Sequence, residues 1–225
     1  MRRVLVSAAL FAIQKAPPIR RCAPSVTAAA TISPLVAMEQ RRLASHTALA
    51  DVTRRELDDE QQRSGKPEKP EVPAGWKLER KPGEMLFTMS KTYEDEEILI
   101  RFLGNDTESE DDIAFEFLTF VTSKGKSLMC NMAFQDGGVV MRTISFIKDA
   151  KLALDESPEA SRKRQRLYEG PQLDDLDVDL IDALTSYFNE RGLTEELCKF
   201  MDEYGIWAEQ AEYEDWLSEI NRFVS

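Results

Sequence analysis

The sequence predicts an α+β fold, a twisted antiparallel meander flanked by helices, and three features of its pattern carry that prediction. Helical spacing of apolar residues gives way to a period of two at Trp76 and returns only after Gly170. The segments of period two are joined by turns too brief to hold a crossover helix, so neighbouring strands must run antiparallel. Helices and strands therefore come in blocks, and this separates α+β from alternating α/β.

Residues 47–63 (TALADVTRRELDDEQQR) are helix-compatible, with Leu49, Val52 and Leu57 as a sparse apolar stripe. Residues 64–75 carry three prolines and two glycines among charges and read as a connector. Six segments then look like strands: 76–81, 86–93, 97–103, 113–122, 127–135 and 139–147. Within them Ile98, Ile100 and Phe102 share a face opposite Leu99, Arg101 and Leu103; Ile113, Phe115, Phe117 and Val121 share a face opposite Ala114, Glu116, Leu118 and Phe120. Neither face is cleanly polar, so the sheet should be covered on one side and partly on the other, by helices or a neighbouring subunit. The turns are Pro82-Gly83, Lys124-Gly125-Lys126 and Asp136-Gly137-Gly138, and the longer loop 104–112 (GNDTESEDD) holds five acids.

A second polar stretch, 149–170, contains the run Arg162-Lys163-Arg164-Gln165-Arg166 and reads as a mobile loop. Leu180, Ile181, Leu184 and Phe188 then form a helical stripe closed by Gly192, a good residue just past a helix end. Thr194 can cap a helix whose Leu197, Phe200, Met201 and Tyr204 face the core; Gly205 is read as interrupting it. Residues 213–224 place Trp216, Leu217, Ile220, Phe223 and Val224 on an amphipathic final helix. Such large apolar groups near a terminus suggest that this helix packs across a subunit boundary, because termini fray unless docked.

Charge divides the chain in two. Through His46 there are seven Lys/Arg and one acid, a net of +6, whereas residues 47–225 hold 22 bases against 40 acids, a net of −18. A basic leader rich in Ala, Ser and Thr fits a mitochondrial transit peptide over residues 1–46, with a processing site near Leu43/Ala44 and a single acidic domain over 47–225. A secretory signal is the competitor, and the arginines recurring at 20, 21, 41 and 42 argue against it. No stretch approaches the ~20 apolar residues of a membrane span. Cys130 and Cys198 lie far apart with no CxxC, so neither a disulfide framework nor a zinc knuckle follows from them, and both read as small buried hydrophobes.

The segment WKLERK at 76–81, EILI at 97–100 with the strands after it, LDVDLIDALTSYFNERG at 176–192 and the ending YEDWLSEINRFV at 213–224 together resemble the mitochondrial glycoprotein family. This is the family of acidic matrix proteins that includes the human protein binding the globular heads of complement. The C-terminal pair of helices is the most specific part, and the likeness is greatest to kinetoplastid members. The resemblance implies a sheet of about seven strands flanked by an N-terminal and two C-terminal helices. It also implies a homotrimeric, doughnut-shaped ring with asymmetric acidic surfaces. Departures fall in the loops 104–112 and 149–170.

Catalytic chemistry is not indicated. The one histidine, His46, stands at the leader boundary, and no GxSxG, P-loop or GxGxxG occurs. Asp175-Leu-Asp177-Val-Asp179 begins like a calcium loop, yet its sixth and twelfth positions are Leu180 and Ser186 where Gly and Glu are needed. Those acids read instead as favourable charges at a helix N-terminus. Asn105-Asp-Thr107 matches a glycosylation sequon by chance, and the run 162–166 reads as a solvated segment neutralised by nearby acids, ahead of a nuclear signal or a phosphate contact. No cofactor and no metal is expected.

What remains is acidity. The candidate partner-binding residues are Glu94, Asp95 and Glu96; Asp106, Glu108, Glu110, Asp111 and Asp112; and Asp174, Asp175 and Asp177. Trp216, Leu217, Ile220 and Phe223 are the candidate trimer interface. A net of −18 destabilises a compact domain by self-repulsion, which is understandable if the field attracts something. The expectation is a non-enzymatic matrix adaptor or chaperone-like scaffold for basic proteins, Arg-rich RNA-binding or ribosomal ones, serving mitochondrial RNA processing (RNA editing, by the resemblance) or translation. Direct nucleic-acid binding is not expected from a body of this sign. The alternatives are a calcium buffer and a carboxylate-based metal-dependent enzyme.

Overall fold

A computed structural model describes residues 34–104 and 113–225. The chain divides into two compact units, 1–42 and 43–225. The described part of the first is the opening of helix α1, Pro34–Gln62, which starts well before the helix expected at 47–63. Residues 34–46 contain no internal proline or glycine to stop it, and Pro34 suits a first helical position.

Six antiparallel strands follow in simple order: β1 (Lys77–Arg80), β2 (Leu86–Tyr93), β3 (Glu96–Leu103), β4 (Ile113–Ser123), β5 (Lys126–Gln135) and β6 (Gly138–Ile147). Each matches its predicted segment to within about one residue at either end, and six strands, not seven, stand among the described residues. Every pair is a sequence neighbour, as the short turns require. One irregularity matters: Asn131 pairs Thr143 but Met132 pairs Met141, so Arg142 is an extra, bulged residue on β6.

The first face of the sheet carries Phe87, Met89, Ile98, Ile100, Phe102, Phe117 and Met132, all at most 3% exposed. Helices α4 (Val178–Glu190) and α5 (Glu195–Val224) cover it with Phe188, Leu197, Phe200, Met201 and Tyr204. Phe87 meets the Tyr204 ring edge-on at 5.3 Å and the Phe102 ring at a tilt at 5.2 Å. Cys130 and Cys198 lie in this core, and burial pushes both thiols up to about 12.

On the second face, register aligns Leu99, Phe120, Met129 and Ser145 in one cross-strand row. Here the expected mobile loop is corrected. Residues 149–170 hold two short helices, α2 (Ala150–Leu154) and α3 (Pro158–Arg164), capped by Asp149 and Ser157. Ala153 and Leu154 pack on Phe120, Ile147, Leu99 and Met129. The apolar residues of 149–170 are too few for a visible helical stripe, but the caps were readable.

The second correction concerns Gly205, which does not interrupt anything: α5 runs unbroken through it. A Cβ there would lie 3.2 Å from the Cα of Gly104, so the glycine admits the end of β3 against the helix. Beyond the sheet α5 changes faces. Leu217 lies two and a half turns after Ala208, on the opposite side, and both are buried. The first half of α5 packs on the sheet and the second on α1, where Asn221 Nδ2 donates to Ala50 O at 2.6 Å and to Thr53 Oγ1 at 3.0 Å.

Candidate functional site

The acidic residues picked out by sequence fall into three fates. Asp106, Glu108, Glu110, Asp111 and Asp112 lie outside the described residues. Glu94 and Asp95 form the exposed tip of the β2–β3 turn, Glu94 with a φ of 52° that the tight turn imposes. Glu96, next in sequence, is not part of that surface. Its Oε2 receives Arg191 Nε at 2.6 Å and its Oε1 receives the Tyr187 hydroxyl at 3.1 Å. Arg191 is 8% exposed and lies between the rings of Tyr187, 3.3 Å from its centroid, and Tyr93, at 5.0 Å. This knot ties the end of α4 to the start of β3. Burial, and then the bond to Glu96, raises the Tyr187 hydroxyl above its ordinary value.

Asp174 and Asp175 belong to a 3-10 turn, Leu173–Asp175, and Asp177 caps α4 by accepting the Asp179 amide at 2.9 Å. Asp175, Asp177 and Asp179 are exposed. Since Asp177 is at one end of a 13-residue helix and Arg191 with Glu96 at the other, the two predicted clusters are about 20 Å apart. That exceeds two screening lengths of ~8 Å at physiological salt, so they act as separate patches.

The element with the largest net negative charge escaped the sequence reading. Helix α5 carries nine acids and two bases, a net of −7, spaced along the helix so that no run marks them. Some are matched internally: Glu212 pairs with Arg80, Glu214 with Lys66, and Gln210 bridges Glu60 and Glu214 at 3.0 Å each. Lys66 holds the Glu214 carboxyl below the ordinary range, its hydrogen bond being the leading cause. Glu203, Glu209, Asp215 and Glu219 are exposed and make no ion pair among the described residues. A periodic count of acids along the predicted helices would have found them.

Of the candidate interface residues, Trp216 and Phe223 are 55% and 87% exposed, and Ile220 is half-buried. Leu217 is buried within the chain, on the side of α5 that carries Asn221 toward α1. Leu49 and Val52 on α1 are also exposed.

A cleft of about 420 Å³ beside β2 and β3 is lined by Lys77, Lys91, Ser90, Thr92 and Thr122, with Glu97 as its one carboxylate. Among the described residues no three His, Cys, Asp or Glu side chains converge as a metal site would need, and no helix is long and apolar enough to cross a membrane.

Comparison with known proteins agrees with this geometry. The mitochondrial glycoprotein (MAM33) family matches residues 109–224. The mitochondrial acidic protein mam33 of Schizosaccharomyces pombe is 36% identical over 89 residues, 40% of this chain but only 33% of that protein's length. The crystal structure of the Trypanosoma brucei p22 protein is 46% identical with a TM-score of 0.76, covering 81% of this chain and all of that one. A Leishmania major protein described as a sequence homologue of human p32 is 40% identical with a TM-score of 0.72, covering 79% and 98%.

Proposed function

The chain belongs to the mitochondrial glycoprotein family, and from that premise we propose that it is a non-enzymatic acidic adaptor of the mitochondrial matrix. Its partners are basic proteins, above all Arg-rich RNA-binding or ribosomal ones. Through them it supports mitochondrial RNA processing, RNA editing in particular, or translation. The observation that carries the reading is the set of exposed carboxylates distributed around α5, Glu203, Glu209, Asp215 and Glu219, which make no ion pair among the described residues, on a body whose net charge is −18. Carboxylates held on a helix are a fixed array, and their repulsion is relieved when a partner supplies cations. The exposed acids Glu94 and Asp95, and Asp175 and Asp177, add two smaller patches of the same sign.

Residues 1–46 act in this reading as the import signal, and the working protein is a homotrimer that uses the exposed apolar surface of Trp216, Phe223, Leu49 and Val52. An obligate assembly accounts for large side chains left in water on the helix pair of a single chain.

Affinity purification from mitochondria, with captured proteins ranked by isoelectric point and eluted at rising salt, tests the proposal. It requires basic proteins that leave progressively as salt screens the charges. Neutral partners, or partners that persist at ~1 M salt where screening lengths are ~3 Å, would overturn it.

A further inference from the structure

The acidity of the body is an average, and one segment departs from it. Residues 161–168 (SRKRQRLY) contain four bases and no acid. The structure sorts those bases. Arg164 turns inward, its Nη1 donating to Leu152 O at 2.8 Å and also to Asp155 O, so that it caps the end of α2. Arg162, Lys163 and Arg166 are exposed and make no ion pair among the described residues. Beside them Tyr168 is 78% exposed and Leu167 39%.

This segment is held on both sides. At its start, Ala150 N donates to Gly125 O at 2.9 Å and Arg101 Nη2 to Leu154 O at 2.7 Å. At its end, Ser145 Oγ donates to Glu169 O at 3.1 Å, and Gly170, at φ 92°, sits so close to β6 that a Cβ would fall 2.2 Å from Ile144 O. Between these points Arg166 N bonds Lys163 O and Leu167 N bonds Arg164 O, a tight turn that keeps the backbone of the basic run compact, with Tyr168 directly after it. Of the acids nearby, Glu156 pairs with Arg101 at 2.9 Å, Asp149 and Asp155 accept backbone amides while keeping their charge, with Asp155 within the field of Lys163, and Glu159 and Glu169 flank the segment. Cations at the end of a short helix are ordinary. An exposed aromatic ring two residues beyond Arg166 is not explained that way.

We infer that Arg162, Lys163, Arg166 and Tyr168 form a docking site for single-stranded nucleic acid, phosphates meeting the three cations and a base stacking on the tyrosine ring. Guanidinium and ammonium groups supply sequence-independent attraction to phosphate, and an exposed aromatic ring is the partner of an unpaired base. The expectation of no direct nucleic-acid contact rests on net charge, whereas contact depends on the field within a screening length of ~8 Å. The site stands apart from the adaptor reading: a chain that captured no basic protein would still bind through it.

The test is fluorescence anisotropy of the full chain with labelled oligo(U), oligo(dT) of equal length, and the corresponding duplex. Three phosphate contacts predict a log–log salt slope near −2, so affinity falls about fourfold per doubling of salt. Replacing Arg162, Lys163 and Arg166 together by Gln should weaken binding at least about tenfold. Tyr168→Ala should weaken it at least about fivefold while Tyr168→Phe retains it. The basic residues of 1–46 are common to all these chains and cannot produce a difference between them. Crosslinking of a 4-thiouridine oligonucleotide should mark the peptide containing Tyr168. Absence of binding, equal binding by the variants, a duplex bound as tightly as the single strand, or crosslinks confined to residues 1–46 would each overturn the assignment.

Discussion

Glu96 and Arg191 show what a single pair does here and why sequence could not reveal it. Both look like surface charges, one in an acid run and the other at a helix end, and they are 95 positions apart. Folding brings them to 2.6 Å with two tyrosine rings around the guanidinium. Removing one member of a largely desolvated pair leaves the other uncompensated, so Arg191→Ala should cost about 3 kcal/mol in denaturant unfolding. Arg191→Lys should recover only part of it, since an ammonium neither stacks nor forks. Tyr187 adds a pH signature. Its folded-state value is raised, so its contribution is complete below the ordinary value near 10 and is lost as pH climbs through the folded value. Alkaline unfolding of Tyr187→Phe should therefore begin at higher pH than that of the wild-type chain. An unchanged onset would mean that the hydroxyl does not titrate with folding.

At the scale of elements, most of the sheet was legible because period two and turn chemistry are local signals. Strand boundaries such as Leu86–Tyr93 follow directly from them. Helix α5 was not legible as one element, because its two halves bury opposite faces and a glycine lies between them. That glycine is a packing residue. Gly205→Val should crowd Gly104 and cost about 1–3 kcal/mol, readable as a lowered denaturation midpoint. Gly205→Ala should come closer to neutral, a helix-propensity gain of about 1 kcal/mol offsetting the tighter contact. The α2–α3 strap was hidden for another reason: few of its residues are apolar, and much of its attachment is Arg101, which stacks over Phe120 at 5.3 Å while bonding the strap's backbone. Arg101→Ala should leave the sheet folded and open the strap, so trypsin should cut at Arg162–Arg166 at least about tenfold faster than in the wild type.

On the scale of the whole molecule, the sign of the charge was legible and its placement was not. Acid runs drew attention to loops, yet one run lies outside the described residues, one is partly consumed by Arg191, and the most acidic element, α5, spreads its charge along its length. The same helix pair carries Trp216 and Phe223 in the open. Truncation after Tyr213 removes Leu217 and Asn221, the contacts that hold α5 to α1. Size-exclusion chromatography should then report a dissociated or unfolded chain, and an intact trimer would contradict the proposed use of this helix in assembly.

The central claim, that fixed carboxylates recruit basic partners, is tested most directly by calorimetric titration of the full chain with an Arg-rich peptide across a salt series. The wild type is compared with a chain in which Glu203, Glu209, Asp215 and Glu219 are replaced by their amides. The account predicts an affinity that falls steadily with salt and drops at least about tenfold in the amide variant at low salt. An affinity independent of salt and unchanged by those four substitutions would contradict it.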